Sequence, residues 1–159
     1  MGESGRRRAD ELDALLTLLQ ARFRVADLHL ARDLAETLLA KFADRERGGF
    51  WFTAEGQDPP LHRPKSFADD ATPGGNGIAA AALARLGWLL GESRYLDAAA
   101  ATLRGGWDSM SRTPQAHTAM LLRRDAGYIG MVGGERVRRE LTLMLAEENG
   151  GPALEACQA

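Results

Sequence analysis

The residues with the most chemistry to offer lie in one stretch, RPKSFADDATPGGNG, running from Arg63 to Gly77. It brings two cations (Arg63, Lys65), a carboxylate (Asp69) and a carboxamide (Asn76) into a short loop, with His62 at its edge. That set suits a ligand rich in hydroxyl or anionic groups, such as a sugar. Gly75 and Gly77 would let the backbone approach it, and an apolar helix beginning near Gly77 would present free N–H groups to an anion. The same residues have a structural use. Asp69 would pin the loop backbone, Arg63 would pair with it, and Asn76 would cap the helix. Both readings stand on the sequence alone.

Other candidates are weaker. Gly75 to Ala80 fits G-x-G-x-x-A, with Asp97 further on, but a nucleotide fingerprint needs a buried strand immediately before it, and here the preceding residues are polar and broken by proline. His29, His62 and His117 show no spacing of a helical metal pair, so no metal ligand is assigned. His62 is the histidine best placed to touch a ligand at the loop; the others read as surface or capping residues. Glu55 with Asp69 or Asp70 would supply the two carboxyls of glycosidase chemistry, which requires a separation that spacing does not give. The single cysteine, Cys157, allows no disulfide within the chain and has no histidine beside it.

These residues sit in a chain of 159 amino acids with 45 % hydrophobic and 26 % charged residues and a formal net charge of −2. That balance suits one globular domain and speaks against a nucleic-acid partner, which would call for a basic stripe. The run Arg6-Arg7-Arg8 is the one basic cluster and reads as a solvated helix start. Apolar runs fall short of the ~20 residues that span a bilayer. The expectation is a cytoplasmic protein with no cofactor and no membrane partner.

The positioning elements follow from periodicity. Residues 1–8 read as a disordered N-terminus and 149–159 as a flexible tail, leaving 9–148 as a single domain of α/α hairpins. Leu12, Leu15, Leu16 and Leu19 mark a helix from Ala9 to about Phe23; Ala31, Leu34, Ala35, Leu38 and Phe42 mark a second, capped by Asp27. Gly48-Gly49 opens GGFWFT, a β-prone run whose partner would be 61–63 in a short hairpin. Beyond the loop, Gly77–Leu90 reads as a helix facing inward with Ile78, Ala81, Ala82, Leu86 and Leu89. Gly91 stops it, and Ser93 caps a helix with Tyr95, Ala99, Leu103, Trp107 and Met110 on one side. Thr113-Pro114 begins a short helix to Ala126 that buries Ala116, Met120 and Leu121; a brief strand at 128–132 and a helix at 135–148 complete the chain.

GGFWFT followed by HRPKSFADDATPGGNGIAAAALARLGWLLGESRYLDAAAATL resembles the C-terminal helical region of the YyaL-type, spermatogenesis-associated thioredoxin-domain family over roughly residues 25–135. The resemblance implies a mainly α fold, a partial α/α toroid built from helical hairpins like those of N-acylglucosamine epimerases and six-hairpin glycosidases, with a short β-hairpin and one short C-terminal strand. The family's thioredoxin-like half, with its cysteine pair, has no counterpart in this sequence. Where the family places PSGN or PSAN this chain has Pro73-Gly74-Gly75-Asn76, without the serine hydroxyl, and Asp70 stands where a small residue is usual.

Part of a ring leaves the pocket of such enzymes open to water, which removes the preorganised site that catalysis needs. The expectation is therefore a non-catalytic helical module, a fragment or truncated relative of a thioredoxin-domain/α-toroid protein, that serves scaffolding or association. The alternative is a carbohydrate-active or sugar-binding domain using the loop 63–77. The leucine-rich flank of the first helix is expected to be exposed and to pair with a second copy in a homodimer.

Overall fold

Four α-helices carry the described part of the chain: α1 (Gly5–Ala21), α2 (Val25–Lys41), α3 (Gly75–Leu90) and α4 (Ser93–Arg112), followed by a 3₁₀ turn at Pro114–His117. A computed structural model describes residues 4–56, 63–118, 120 and 121, all within one compact unit, Met1–Arg124. Among the described residues there is no β-sheet, so the chain is mainly helical, as its periodicities lead one to expect. The strand expected at 128–132, the helix at 135–148, the tail at 149–159, His62 and Cys157 lie outside them.

Helix α1 starts at Gly5, not Ala9, so residues 5–8 belong to the helix rather than to a disordered start. Charge pairs along its first turns explain the extension: Arg7 and Arg8 each reach Glu11 at 2.9 Å. The backbone also anchors, because the Gly5 N–H donates to the Phe52 carbonyl at 2.9 Å. Leu12, Leu16 and Leu19 are buried and Leu15 packs partly against the same core. The flank expected to face a second copy is therefore turned inward, and only Phe23 beyond it is exposed.

Helix α2 begins at Val25, with Asp27 in its first turn instead of at the cap, and buries the stripe Ala31, Leu34, Ala35 and Leu38, with Phe42 just past its end. Helix α3 ends at Gly91, whose φ of 69° is the left-handed turn that glycine adopts without strain. On α4 the buried residues are Tyr95, Ala99, Ala100, Thr102, Gly106 and Met110, whereas Trp107 is exposed and Leu103 only half-buried. Stepping strictly by four from Tyr95 overshoots each full turn by about 40°, so it walks off the buried face where the mixed three-and-four spacing stays on it. Leu89 likewise faces outward.

Two hairpins, α1–α2 and α3–α4, lie side by side in the same sense. At one end Gly75 abuts Arg6, and two to three turns further on Arg85 of α3 meets Asp13 of α1 at 2.9 Å, so α1 and α3 run parallel. On the other side Arg94 and Tyr95 of α4 meet Glu36 of α2. Further along, Gly105 lies against the backbone of Arg47 and Gly48, just past the end of α2, so α2 and α4 also run parallel. The core between the hairpins joins leucines of α1 and α2 to Ala82, Leu83 and Leu86 of α3 and Tyr95 of α4.

The expected hairpin at 50–53 is not formed. Isolated antiparallel bridges join Ala43 to Phe50 and Ser4 to Thr53 instead. The segment GGFWFT is held by partners from four directions. Trp51 donates its N–H to Phe42 (2.8 Å) and Phe52 to Pro64 (2.9 Å), Gly5 donates to Phe52, and Phe50 is bound by a side chain of α3.

Candidate functional site

That side chain is Asn76, in the first turn of α3 and 4 % exposed. Its Oδ1 accepts the Phe50 N–H at 2.7 Å, and its Nδ2 donates to the Phe50 carbonyl at 3.1 Å and to the Ser66 carbonyl at 2.8 Å. A carboxamide has one acceptor and two donors arranged like a peptide edge, so Asn76 pairs with Phe50 as a neighbouring strand would. This is why GGFWFT needs no second strand. It also leaves Asn76 with no hydrogen free for a ligand, and it does not cap α3; Gly74 occupies that position.

Lys65 is similarly engaged. Its Nζ lies 2.5 Å from Asp44 Oδ2 and 2.9 Å from the Gly48 carbonyl, and it sits over the Trp51 ring at 4.8 Å and the Phe67 ring at 5.5 Å. Burial pushes the Asp44 carboxyl up. The hydrogen bond from Lys65 and the N–H groups of Arg47 and Glu46 outweigh that and hold it below its ordinary value. Arg63 does not pair with Asp69. Its guanidinium donates to the Thr53 carbonyl at 2.6 and 3.2 Å and to the Lys41 carbonyl at 3.3 Å, and it lies over the Trp51 ring, 5.4 Å from the ring centre. Asp69 accepts the Gly74 N–H at 2.8 Å while its own N–H donates to Ala116 at 2.7 Å. Pinning the loop is the role the sequence allows Asp69, and it is the one observed.

The glycines serve close packing. A Cβ on Gly75 would lie 3.1 Å from Arg6, and one on Gly49, where φ is 82°, would lie 2.8 Å from Phe67. Gly75-Asn76-Gly77 belongs to the first turn of α3 and follows a loop, so the nucleotide fingerprint lacks its strand.

Two clefts flank this region. The smaller, about 240 Å³, opens between the starts of α1 and α3 and is lined in part by Arg6, Trp51, Ser66, Asp70 and Asn76. Arg63, Lys65 and Asp69 do not line it. The larger, about 720 Å³, runs between the turn at 43–50 and α4, past Arg45, Glu46, Arg47, Asp97 and Arg104. Of these only Asp97 was weighed in the sequence, and then with the nucleotide fingerprint; for the others the signal was the charge run Asp44-Arg45-Glu46-Arg47 ahead of the glycine pair. Glu55 is exposed and lines neither cleft.

His117 is buried, 1 % exposed, and not a surface residue. One ring nitrogen, Nδ1, lies 2.8 Å from the Thr113 carbonyl and the other, Nε2, 2.9 Å from Ser109 Oγ, so the ring ties the 3₁₀ turn to the last turn of α4. Among the described residues no three His, Cys, Asp or Glu side chains converge on a point that would hold a metal ion. Set against protein-family models, curated proteins and solved structures, the chain matches none of them.

Proposed function

We propose that this chain is a non-catalytic helical module whose α/α hairpins serve scaffolding or association, in an arrangement of the kind that continues into a toroid. The observation that carries this reading is the fate of the loop's polar groups. Arg63, Lys65, Asp69 and Asn76 are each bound to backbone or to another side chain of the same chain. A ligand group would have to break those contacts and leave buried donors and acceptors unmet. Helical hairpins that expose their flanks bury them by stacking on further hairpins, and the parallel setting of α1 with α3 and of α2 with Arg94 and Tyr95 of α4 is the register such stacking uses.

Calorimetric titration with N-acetylglucosamine, N-acetylmannosamine and their phosphates tests the reading. No saturable heat and no rise in melting temperature are expected at millimolar ligand. Saturable binding that Lys65→Ala abolishes while the variant keeps a cooperative melt would instead establish a sugar site at the loop.

A further inference from the structure

We infer that Ser109 is a base-activated nucleophile, a site at which this chain takes up an acyl group from a thioester or an ester with a good leaving group. This goes beyond the association reading and does not depend on it, because it uses no polar group of the loop at 63–77. Ser109 stands in the last turn of α4, and His117 closes the 3₁₀ turn that follows. The reversal at Thr113-Pro114 brings the ring back to the helix end, with Nε2 2.9 Å from Ser109 Oγ and Nδ1 2.8 Å from the Thr113 carbonyl. A carbonyl oxygen only accepts, so Nδ1 carries the hydrogen. In the neutral ring Nε2 is then the acceptor, and the Ser109 hydroxyl donates to it. That is the polarity of a serine nucleophile facing its base, with a third group orienting the far side of the ring.

A hydroxyl on a helix has a nearer partner, the carbonyl four residues back. Thr17, Thr37 and Thr102 take theirs, on Asp13, Asp33 and Ala98. Ser109 departs from them and gives its hydrogen to the imidazole. The base is buried, whereas the serine is only half-buried. Attack creates an imidazolium at the C-terminal end of α4, where the helix dipole and the Thr113 carbonyl both favour positive charge. The larger cleft gives an acyl donor its place. Ala98, Ala101, Thr102 and Gly105 of α4 line it, and Ser109 follows Gly105 one turn, about 6 Å, further along the same side of the helix. In the step, Oγ bonds to the carbonyl carbon of the donor and its proton passes to Nε2. The bond to the leaving thiolate or alkoxide then breaks, Nε2 returns the proton to it, and the acyl group stays on Ser109 as an ester.

Reaction of the full chain with p-nitrophenyl acetate, an activated ester, tests this. A burst of about one equivalent of p-nitrophenolate per chain is expected, with peptide mass mapping placing a single acetyl group on Ser109. Ser109→Ala should lose both. His117→Gln keeps a hydrogen-bonding side chain but no base, and should slow the burst at least about a hundredfold. A His117→Gln variant that melts cooperatively and acetylates as fast as the parent overturns the proposal. So does a parent chain that shows no burst, or one acetylated only on lysines or the N-terminus, results that need no variant to fold. Turnover past one equivalent that Ser109→Ala abolishes supports the nucleophile and contradicts the non-catalytic reading, so the two claims fail separately.

Discussion

Lys65 carries its charge to a place where few lysines go, 11 % exposed and against an Asp44 side chain that is 7 % exposed. The pair is favourable because the ammonium gains a carboxylate, a carbonyl and two aromatic faces, while Asp44 gains two backbone N–H groups. Its pH dependence follows from the lowered Asp44 carboxyl. Between the folded value and the ordinary 3.8 the unfolded chain binds more protons at this group than the folded one. The stability it contributes is thus complete above 3.8 and lost as pH falls through the folded value. Asp44→Asn should cost roughly 1–3 kcal/mol at neutral pH, and urea unfolding across the acid range should show the gap to the parent closing below pH 3.8. A gap independent of pH would contradict this. At this scale the sequence names the right residues and leaves most partners open: Asp69 is engaged locally by Gly74, whereas Lys41 and Thr53 bind Arg63, Asp44 binds Lys65 and Phe50 binds Asn76, contacts that spacing along the chain does not encode.

Among the elements, the long helices were legible because each buries a stripe at helical spacing, and glycine or proline marks the end of α3 and of α4. What escaped was set by contacts between elements. The run 50–53 has the composition of a strand, but its hydrogen bonds are met by Asn76, Phe42, Pro64 and Gly5, so local β-propensity is satisfied without a hairpin. Helix α1 begins early for the same reason, because Gly5 brings its backbone onto Phe52. A Cβ there would lie 2.5 Å from the Trp51 carbonyl oxygen and 3.0 Å from the Phe42 ring. Gly5→Ala is accordingly expected to lower stability by about 1–3 kcal/mol despite alanine's better helix propensity. Thermal denaturation checks this: a variant as stable as the parent, or more so, would mean that the start of α1 is free to shift away from Trp51.

For the molecule as a whole, the sequence made a mainly helical domain of hairpins legible, and it could not say which flank the leucines of α1 would face. Their burial depends on α3 arriving alongside α1, a contact between residues far apart in the chain. What joins the first hairpin to the second is the pinned segment between them: Gly48 to Thr53 follows α2, touches the start of α1, and is held by Asn76 at the start of α3. On this account Asn76 is a keystone of the fold rather than a ligand group, and equilibrium unfolding in guanidinium of Asn76→Ala tests that most directly. Removing the carboxamide leaves the Phe50 N–H, the Phe50 carbonyl and the Ser66 carbonyl without their partner, so a loss of about 3 kcal/mol or more is predicted, in a single cooperative transition. Unchanged or increased stability would contradict the account, because a residue held in place for a ligand costs the fold nothing when it is removed.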